Sequence, residues 1–226
     1  MKKAERTLRQ AVIDQCLWMN ACGLNQGTSG NISVRYGKRM LITPAAVPYA
    51  EMEPEMLASL PLDGDGAWDG PMKPSTEWRF HLDILIARPE VDAVVHAHPT
   101  YCTALAMNRR TIPAAHYMVA AFGGTDVRCS DYATFGTAAL SKTALAALEE
   151  RTACLLANHG MIALGETLEK AMWRAVELET LARQYCHALA IGTPVLLTDA
   201  EIAETAKKFG SYGLQAAKTR KGKGRK

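Results

Sequence analysis

The chain has no apolar run long enough to cross a bilayer. Even the stretch from Leu181 to Leu197 is broken by Arg183, Gln184, His187 and Pro194, where a spanning helix needs about 20 apolar residues in succession. It has no Cys-x-x-Cys pair either: Cys16, Cys22, Cys102, Cys129, Cys154 and Cys186 are scattered. The first ten residues, Met1 to Gln10, carry mixed charge without the apolar core of a secretory signal. The cysteines therefore read as reduced thiols, and the expected compartment is the cytoplasm, with no membrane contact. An excess of one charge is missing as well. The formal net charge is +3, but Lys218, Arg220, Lys221, Lys223, Arg225 and Lys226 crowd the last nine residues with no acidic neighbour. Removing those six from the 26 basic residues leaves 20 against 23 acidic ones. The basicity is a tail, so charge gives no reason to expect a nucleic-acid-binding core. What is present, 48% hydrophobic and 22% charged residues over 226 positions, excludes a disordered chain and suits one folded domain.

Periodicity orders the chain. Ala4, Leu8, Val12, Ile13, Cys16, Leu17 and Met19 recur at helical spacing, and Gly23 marks a stop. A glycine-rich polar loop, Leu24 to Gly30, runs into an alternating strand through Ile32, Val34 and Tyr36. A turn at Gly37-Lys38 and a second strand, Met40 to Thr43, complete a hairpin. Pro74 to Trp78 opens a helix that continues through Ile86, with Glu77 in its first turn. Val91 to His98 reads as a strand, Thr100 to Met107 and Leu140 to Leu148 as helices, and Ala153 to His159 as a buried strand. The longest helical pattern spans Thr167 to Ala190. Strands and helices intermix, which predicts an α/β domain with one sheet covered by helices. The domain is expected to occupy residues 1–213, followed by a basic, disordered tail over 214–226.

Three histidines stand out. His96 and His98 are i and i+2 at the end of a strand, so their side chains share a face with Cα atoms about 6.5 Å apart. That spacing lets two imidazoles converge on one ion with Zn–N bonds of about 2.0–2.1 Å. His159 ends another strand, and Gly160 after it permits a sharp departure of the backbone. Three neutral imidazoles leave a coordination position open, as a catalytic zinc requires. Glu77 sits where a helix dipole favours a carboxylate, although acidic residues are common there for that reason alone. His81, one turn on, shares its helix face and reads as a partner behind Glu77 or an alternative ligand. His116 and His187 read as ordinary histidines.

A second constellation suits an anion. Gly27-Thr28-Ser29-Gly30-Asn31 joins two flexible backbone positions to hydroxyl and amide donors, and Ser75-Thr76 adds two hydroxyls at a helix N-terminus. Together they could hold a phosphate monoester without any lysine. The loop is neither a Walker sequence nor a dinucleotide fingerprint. Each half read alone is a tight turn or an N-cap.

Six motifs in order, Asn25-Gln26-Gly27-Thr28-Ser29-Gly30-Asn31, Pro74-Ser75-Thr76-Glu77-Trp78-Arg79-Phe80-His81, His96-Ala97-His98, His116-Tyr117-Met118, Tyr132-Ala133-Thr134-Phe135-Gly136-Thr137 and Asn158-His159-Gly160, resemble the class II aldolase family. That family includes L-fuculose-1-phosphate aldolases and L-ribulose-5-phosphate 4-epimerases. The resemblance covers the chain to Gly213. It implies a three-layer α/β/α sandwich around a central, mostly antiparallel sheet, assembled as a homotetramer with active sites at subunit interfaces. It carries zinc ligands onto His96, His98 and His159, with manganese or cobalt as other ions that imidazoles accept. It makes Glu77 the catalytic acid/base and a fourth ligand in the resting enzyme, and it brings Tyr117 into a neighbour's site. Phosphate would lie on Gly30, Asn31, Ser75, Thr76 and the backbone amides of Ala45 and Ala46. Tyr212 would close over the substrate, and Phe135 and Phe209 would face its aldehyde end. Two departures bear on substrate rather than reaction: Ala45-Ala46 stands where the fuculose-type pattern has Thr-Gly, and Ser75-Thr76 where it has Ser-Ser.

The implied reaction is reversible cleavage of a ketose 1-phosphate, of the fuculose, ribulose, 5-deoxyribulose or methylthioribulose type, to dihydroxyacetone phosphate and a small aldehyde. The chemistry needs a Glu77 pKa raised toward neutrality by an apolar setting beside Trp78. Two rivals share the fold, a sugar-phosphate 4-epimerase and a methylthioribulose-1-phosphate dehydratase. The epimerase branch carries aspartate where this chain has Glu77. A third rival, a non-catalytic zinc-binding module, is disfavoured by three histidines with an open position in place of a filled Cys/His tetrahedron.

Overall fold

A computed structural model describes residues 1–209. Tyr212 and the basic tail lie outside them. Eight strands form: β1 (Asn31–Tyr36), β2 (Arg39–Ile42), β3 (Ala58–Pro61), β4 (Ala93–Ala97), β5 (Ile112–Pro113), β6 (Asp126–Val127), β7 (Ala153–Leu156) and β8 (Gly160–Gly165). Six of them build one sheet in the order β3-β2-β1-β4-β8-β7, with every neighbouring pair antiparallel, while β5 and β6 pair separately. The helices are α1 (Lys3–Ala21), α2 (Trp78–Ala87), α3 (Thr100–Met107), α4 (Ala138–Ala147), α5 (Leu168–Ile191) and α6 (Asp199–Phe209).

The period-2 alternation of the strands splits the core in two. Ile32 and Val34 of β1, Val95 of β4, and Met161 and Ala163 of β8 turn toward α1, α3 and α5. Val94, Cys154, Ile162 and Leu164 turn the other way, toward α2 and α4. The result is the expected helix–sheet–helix sandwich. Parity also decides where polar groups go. Asn31 and Ser33 alternate with Ile32 and Val34, and His96 alternates with Val95, so all three face the α2 layer. The register then sets Asn31 directly opposite His96.

Several boundaries move. The strand read as Val91 to His98 is shorter, ending at Ala97, so His98 projects from the sheet edge. The buried strand read as Ala153 to His159 stops at Leu156, and His159 lies in the turn into β8. Glu77 is the residue before α2 rather than part of its first turn. The strands β3 and β8 and the helix α6 have no counterpart in the sequence reading; β8 is buried along its whole length and shows no alternation. The apolar stretch from Tyr117 is a 3-10 helix, Tyr117–Phe122. Among the described residues no helix is long and apolar enough to cross a membrane.

Two local features have measurable consequences. Ala46 holds φ at 56°, a left-handed conformation in which a β-carbon is strained and glycine is not. Ala46→Gly should raise the free energy of unfolding by about 0.5–1 kcal/mol in urea titrations. On α2, His81 is fully buried, and burial pushes its imidazole down to about 3, with a smaller push from nearby His96 and an opposing pull from Glu77. The ring is neutral in the fold but takes up a proton near pH 6.5 once unfolded. Its contribution to stability is therefore present above pH 6.5 and lost as the pH falls toward 3. Urea midpoints should drop between pH 7 and pH 5, and His81→Gln should make that drop shallower.

Candidate active site

Four elements meet where the α2 layer reaches the end of the sheet. His96 is the next-to-last residue of β4, His98 follows the strand, His159 comes from the β7–β8 turn, and Glu77 precedes α2. The histidine ligand atoms all lie within 4.8 Å of one another, and the three ring centroids are 4.8 Å apart pairwise. Gly160 makes this approach possible. A β-carbon there would come 2.6 Å from the Ala97 carbonyl oxygen and 2.6 Å from Cδ2 of His98. The glycine is needed for space beside the ring, and the left-handed turn falls one residue before His159, at Asn158 with φ 55°. Asn158 is held by hydrogen bonds from Arg109 to its side-chain oxygen and from its own amide to the Met107 carbonyl.

One oxygen of the buried carboxylate in this cluster has no donor among the described residues. His96 donates from Nδ1 to the Met161 carbonyl at 2.8 Å, because a carbonyl only accepts. In the neutral ring Nε2 therefore carries a lone pair. That nitrogen sits 3.1 Å from Oε2 of Glu77 and 3.0 Å from Nε2 of His98. The other carboxylate oxygen, Oε1, is 3.2 Å from Nε2 of His159 yet receives no hydrogen bond from the chain and is buried. Burial pushes the His98 imidazole down to about 4, so it is neutral near pH 7. An imidazole lone pair, a carboxylate oxygen without a donor and two further ring nitrogens meeting across about 3 Å form a donor set that suits a positive charge among them. A divalent cation with imidazole affinity fits this donor set.

The environment of Glu77 reverses one expectation. Trp78 does not supply an apolar setting for it: its indole packs where Gly66 leaves room for the ring and joins the α2 and α4 core. Burial by itself would push the carboxyl up, but the imidazoles of His96 and His159 set against its two oxygens more than offset this and hold it well below the usual carboxylate range. Asn31 donates from Nδ2 to Oε2 at 3.0 Å. His81 is not a ligand. Its Nε2 lies 2.5 Å from Oδ1 of Asn31 and its Nδ1 2.8 Å from Oγ of Ser33.

A cavity of about 430 Å³ opens in front of Glu77, His98 and His159. Thr28, Ser29, Gly30, Asn31, Ser75 and Thr76 form one wall, Ala45 and Ala46 lie beside them, and Tyr132, Ala133, Phe135 and Asn158 complete the lining. Among the described residues no lysine or arginine lines it. Gly30 is required for closeness, since a β-carbon would meet Oδ1 of Asn25 and the His96 carbonyl oxygen at 2.9 Å. Ser75 Oγ accepts from the Glu77 N–H. The Ala45 N–H is already spent on the Lys73 carbonyl, so of the two amides the resemblance implied for phosphate, Ala45's is engaged. The Asn31 amide likewise turns one N–H to Glu77 and has one left.

Other residues the resemblance brought to the site lie elsewhere in this chain. Tyr117 is half exposed and, with Phe209 stacked 6.4 Å from it, lines a second cavity of about 660 Å³ that shares no lining residue with the first. Tyr132 and Asn158, by contrast, are site-lining residues to which the sequence reading assigned no role. Their position within two of the quoted motifs was the available signal.

A protein-family model described as Class II Aldolase and Adducin N-terminal domain matches residues 10–186. A 5-methylthioribulose-1-phosphate/5-deoxyribulose-1-phosphate aldolase of Rhodospirillum rubrum is 52% identical over 92% of this chain and 94% of its own. An L-fuculose phosphate aldolase of Escherichia coli is 48% identical over 92% and 96%. A solved L-fuculose 1-phosphate aldolase superposes with a TM-score of 0.87 at 38% identity, covering 90% of this chain and 96% of that one. The chain is an enzyme of the class II aldolase family.

Proposed function

We propose that this enzyme reversibly cleaves a ketose 1-phosphate to dihydroxyacetone phosphate and a small aldehyde, with His96, His98 and His159 holding a zinc ion. The observation that carries the reading is the convergence of three imidazoles and Glu77, one of its oxygens without a donor, at the mouth of the cavity. A divalent ion bound there supplies Lewis acidity at the substrate's carbonyl, offsetting negative charge as the carbon–carbon bond breaks. His96 holds its Nε2 lone pair inward through its bond to Met161, and Glu77 moves the proton to and from the carbon next to that carbonyl. Its depressed pKa suits the base form.

The hydroxyls of Thr28, Ser29, Ser75 and Thr76, the free N–H of Asn31 and the backbone around Gly30 and Ala46 would receive the phosphate. Uncharged donors and a helix start suit an anion that must also leave. Phe135 would face the aldehyde end. Tyr117 lies away from this chain's own cavity, which supports a role in a neighbour's site within a homotetramer. Exposed Trp18, Trp173 and Tyr117 give apolar surface to such an assembly. Six free thiols suit a reducing, cytoplasmic setting. Glutamate at position 77 favours cleavage over 4-epimerisation. The R. rubrum and E. coli relatives carry names with different aldehyde parts, and Ala45-Ala46 departs from the fuculose-type loop, so the sugar is to be read from products.

Glu77→Gln should lower the cleavage rate by about 10²–10⁴-fold while metal content, measured by atomic emission, stays near one per chain. Wild-type turnover in a metal-replete variant would take Glu77 out of the chemistry. Chelation should abolish activity and leave far-UV circular dichroism largely unchanged, whereas unfolding would mark a structural metal site. Across fuculose, ribulose, 5-deoxyribulose and methylthioribulose 1-phosphates, dihydroxyacetone phosphate should appear by coupled reduction. An epimer or a dehydrated diketone would name a rival.

A further inference from the structure

We propose that His81, backed by Ser33, is a positioning residue that locks the Asn31 amide in the one orientation able to hold the Glu77 carboxylate. The inference rests on the reading of Glu77 given above.

The argument begins at the carboxylate. Glu77 Oε2 is an acceptor, so the Asn31 atom 3.0 Å from it must be the amide nitrogen. Reversing the amide would set two oxygens face to face in a buried site, which is costly. With Nδ2 committed, Oδ1 points back into the α2 layer and needs a donor. The atom there is His81 Nε2 at 2.5 Å, so the ring carries its proton on Nε2. Nδ1 then has a lone pair and needs a donor in turn, and Ser33 Oγ, 2.8 Å away, supplies it. The chain of donors runs Ser33 to His81 to Asn31 to Glu77, and every link has one allowed direction.

Geometry shows why this arrangement is built into the fold. Asn31 and Ser33 are i and i+2 on β1 and face α2 together. His81 lies one helical turn after Glu77, so its ring spans both polar strand positions while Glu77 meets Asn31 from the other side. His81 is fully buried and Ser33 is too, leaving no water to substitute for either. The ring is fixed further by stacking on Phe80, with centroids 4.6 Å apart. Burial keeps it neutral, as a ring that both donates and accepts must be. Nothing in this relay touches the cavity lining except Asn31 and Glu77 themselves. Its effect on catalysis is exerted through them.

The test uses the metal-loaded enzyme with wild-type, His81→Leu, His81→Gln and Glu77→Gln chains. His81→Leu should lower kcat by about 10–100-fold with KM within about threefold of wild type, as losses behind a catalytic group do. His81→Gln places an amide N–H near the position of Nε2 and should recover most of that loss. Long-range ¹H–¹⁵N spectra of the zinc-loaded protein should show His81 as the Nε2–H tautomer. A packing role alone would move kcat and KM together, or give no preference for Gln over Leu. Either result, unchanged kcat in His81→Leu, or an Nδ1–H tautomer overturns the proposal. Should His81→Leu fail to fold, the His81→Gln kinetics and the tautomer still decide: a loss in His81→Gln as large as that in Glu77→Gln, or the wrong tautomer, overturns it. Glu77→Gln separates the two readings. If it retains full turnover the role of Glu77 fails, whereas a dead Glu77→Gln beside a fully active His81→Leu removes only the relay.

Discussion

The convergence of three imidazoles on one buried carboxylate at the end of a sheet organises this molecule. The groups stand about 3 Å apart, and one carboxylate oxygen receives no hydrogen bond from the described residues. Such an arrangement is expensive in a folded core unless a cation joins it. The surrounding structure is shaped to keep these groups together. The Met161 carbonyl fixes one imidazole tautomer, Gly160 makes room for a ring where any side chain would collide, and left-handed Asn158 brings His159 round from the turn.

The sandwich follows from the same requirement. The clustered side chains from β4, the β7–β8 turn and the segment before α2 come from three distant parts of the chain, so only a rigid sheet with covered faces can hold them to a fixed geometry. Antiparallel pairing of β1 with β4 puts Asn31 opposite His96. Strand alternation sends both toward α2, which delivers Glu77 at its start and His81 a turn later. The cavity is then walled by loops and helix starts bearing hydroxyls and amides.

The family relationship agrees with this architecture in both sequence and shape. The departures are local. Ala46 keeps a backbone conformation better suited to glycine, and the Ala45 N–H is turned into the fold, so this part of the rim differs from the pattern of the fuculose-type loop. Trp78 beside Glu77 in sequence is not beside its carboxylate in space, and so the carboxyl is depressed rather than raised.

Much of the design was legible in the linear chain, because it depends on short periods. The i, i+2 spacing of His96 and His98, the glycine after His159, the hydroxyls before Glu77 and the apolar faces of α1 and α5 are local patterns, and each survives folding with shifts of a few residues at the ends. β8 escaped notice because a strand buried on both faces has no alternation to read, whereas α6 carries an apolar face, with Ile202 buried, that the sequence reading passed over. What only the tertiary structure decided is who faces whom. Asn31 and His81 are fifty residues apart in sequence, and no spacing rule links them. Their contact, the direction of each hydrogen bond and the sign of the shift on Glu77 arise from strand register and layer packing, which bring remote polar groups into a dry space where every donor must find its acceptor.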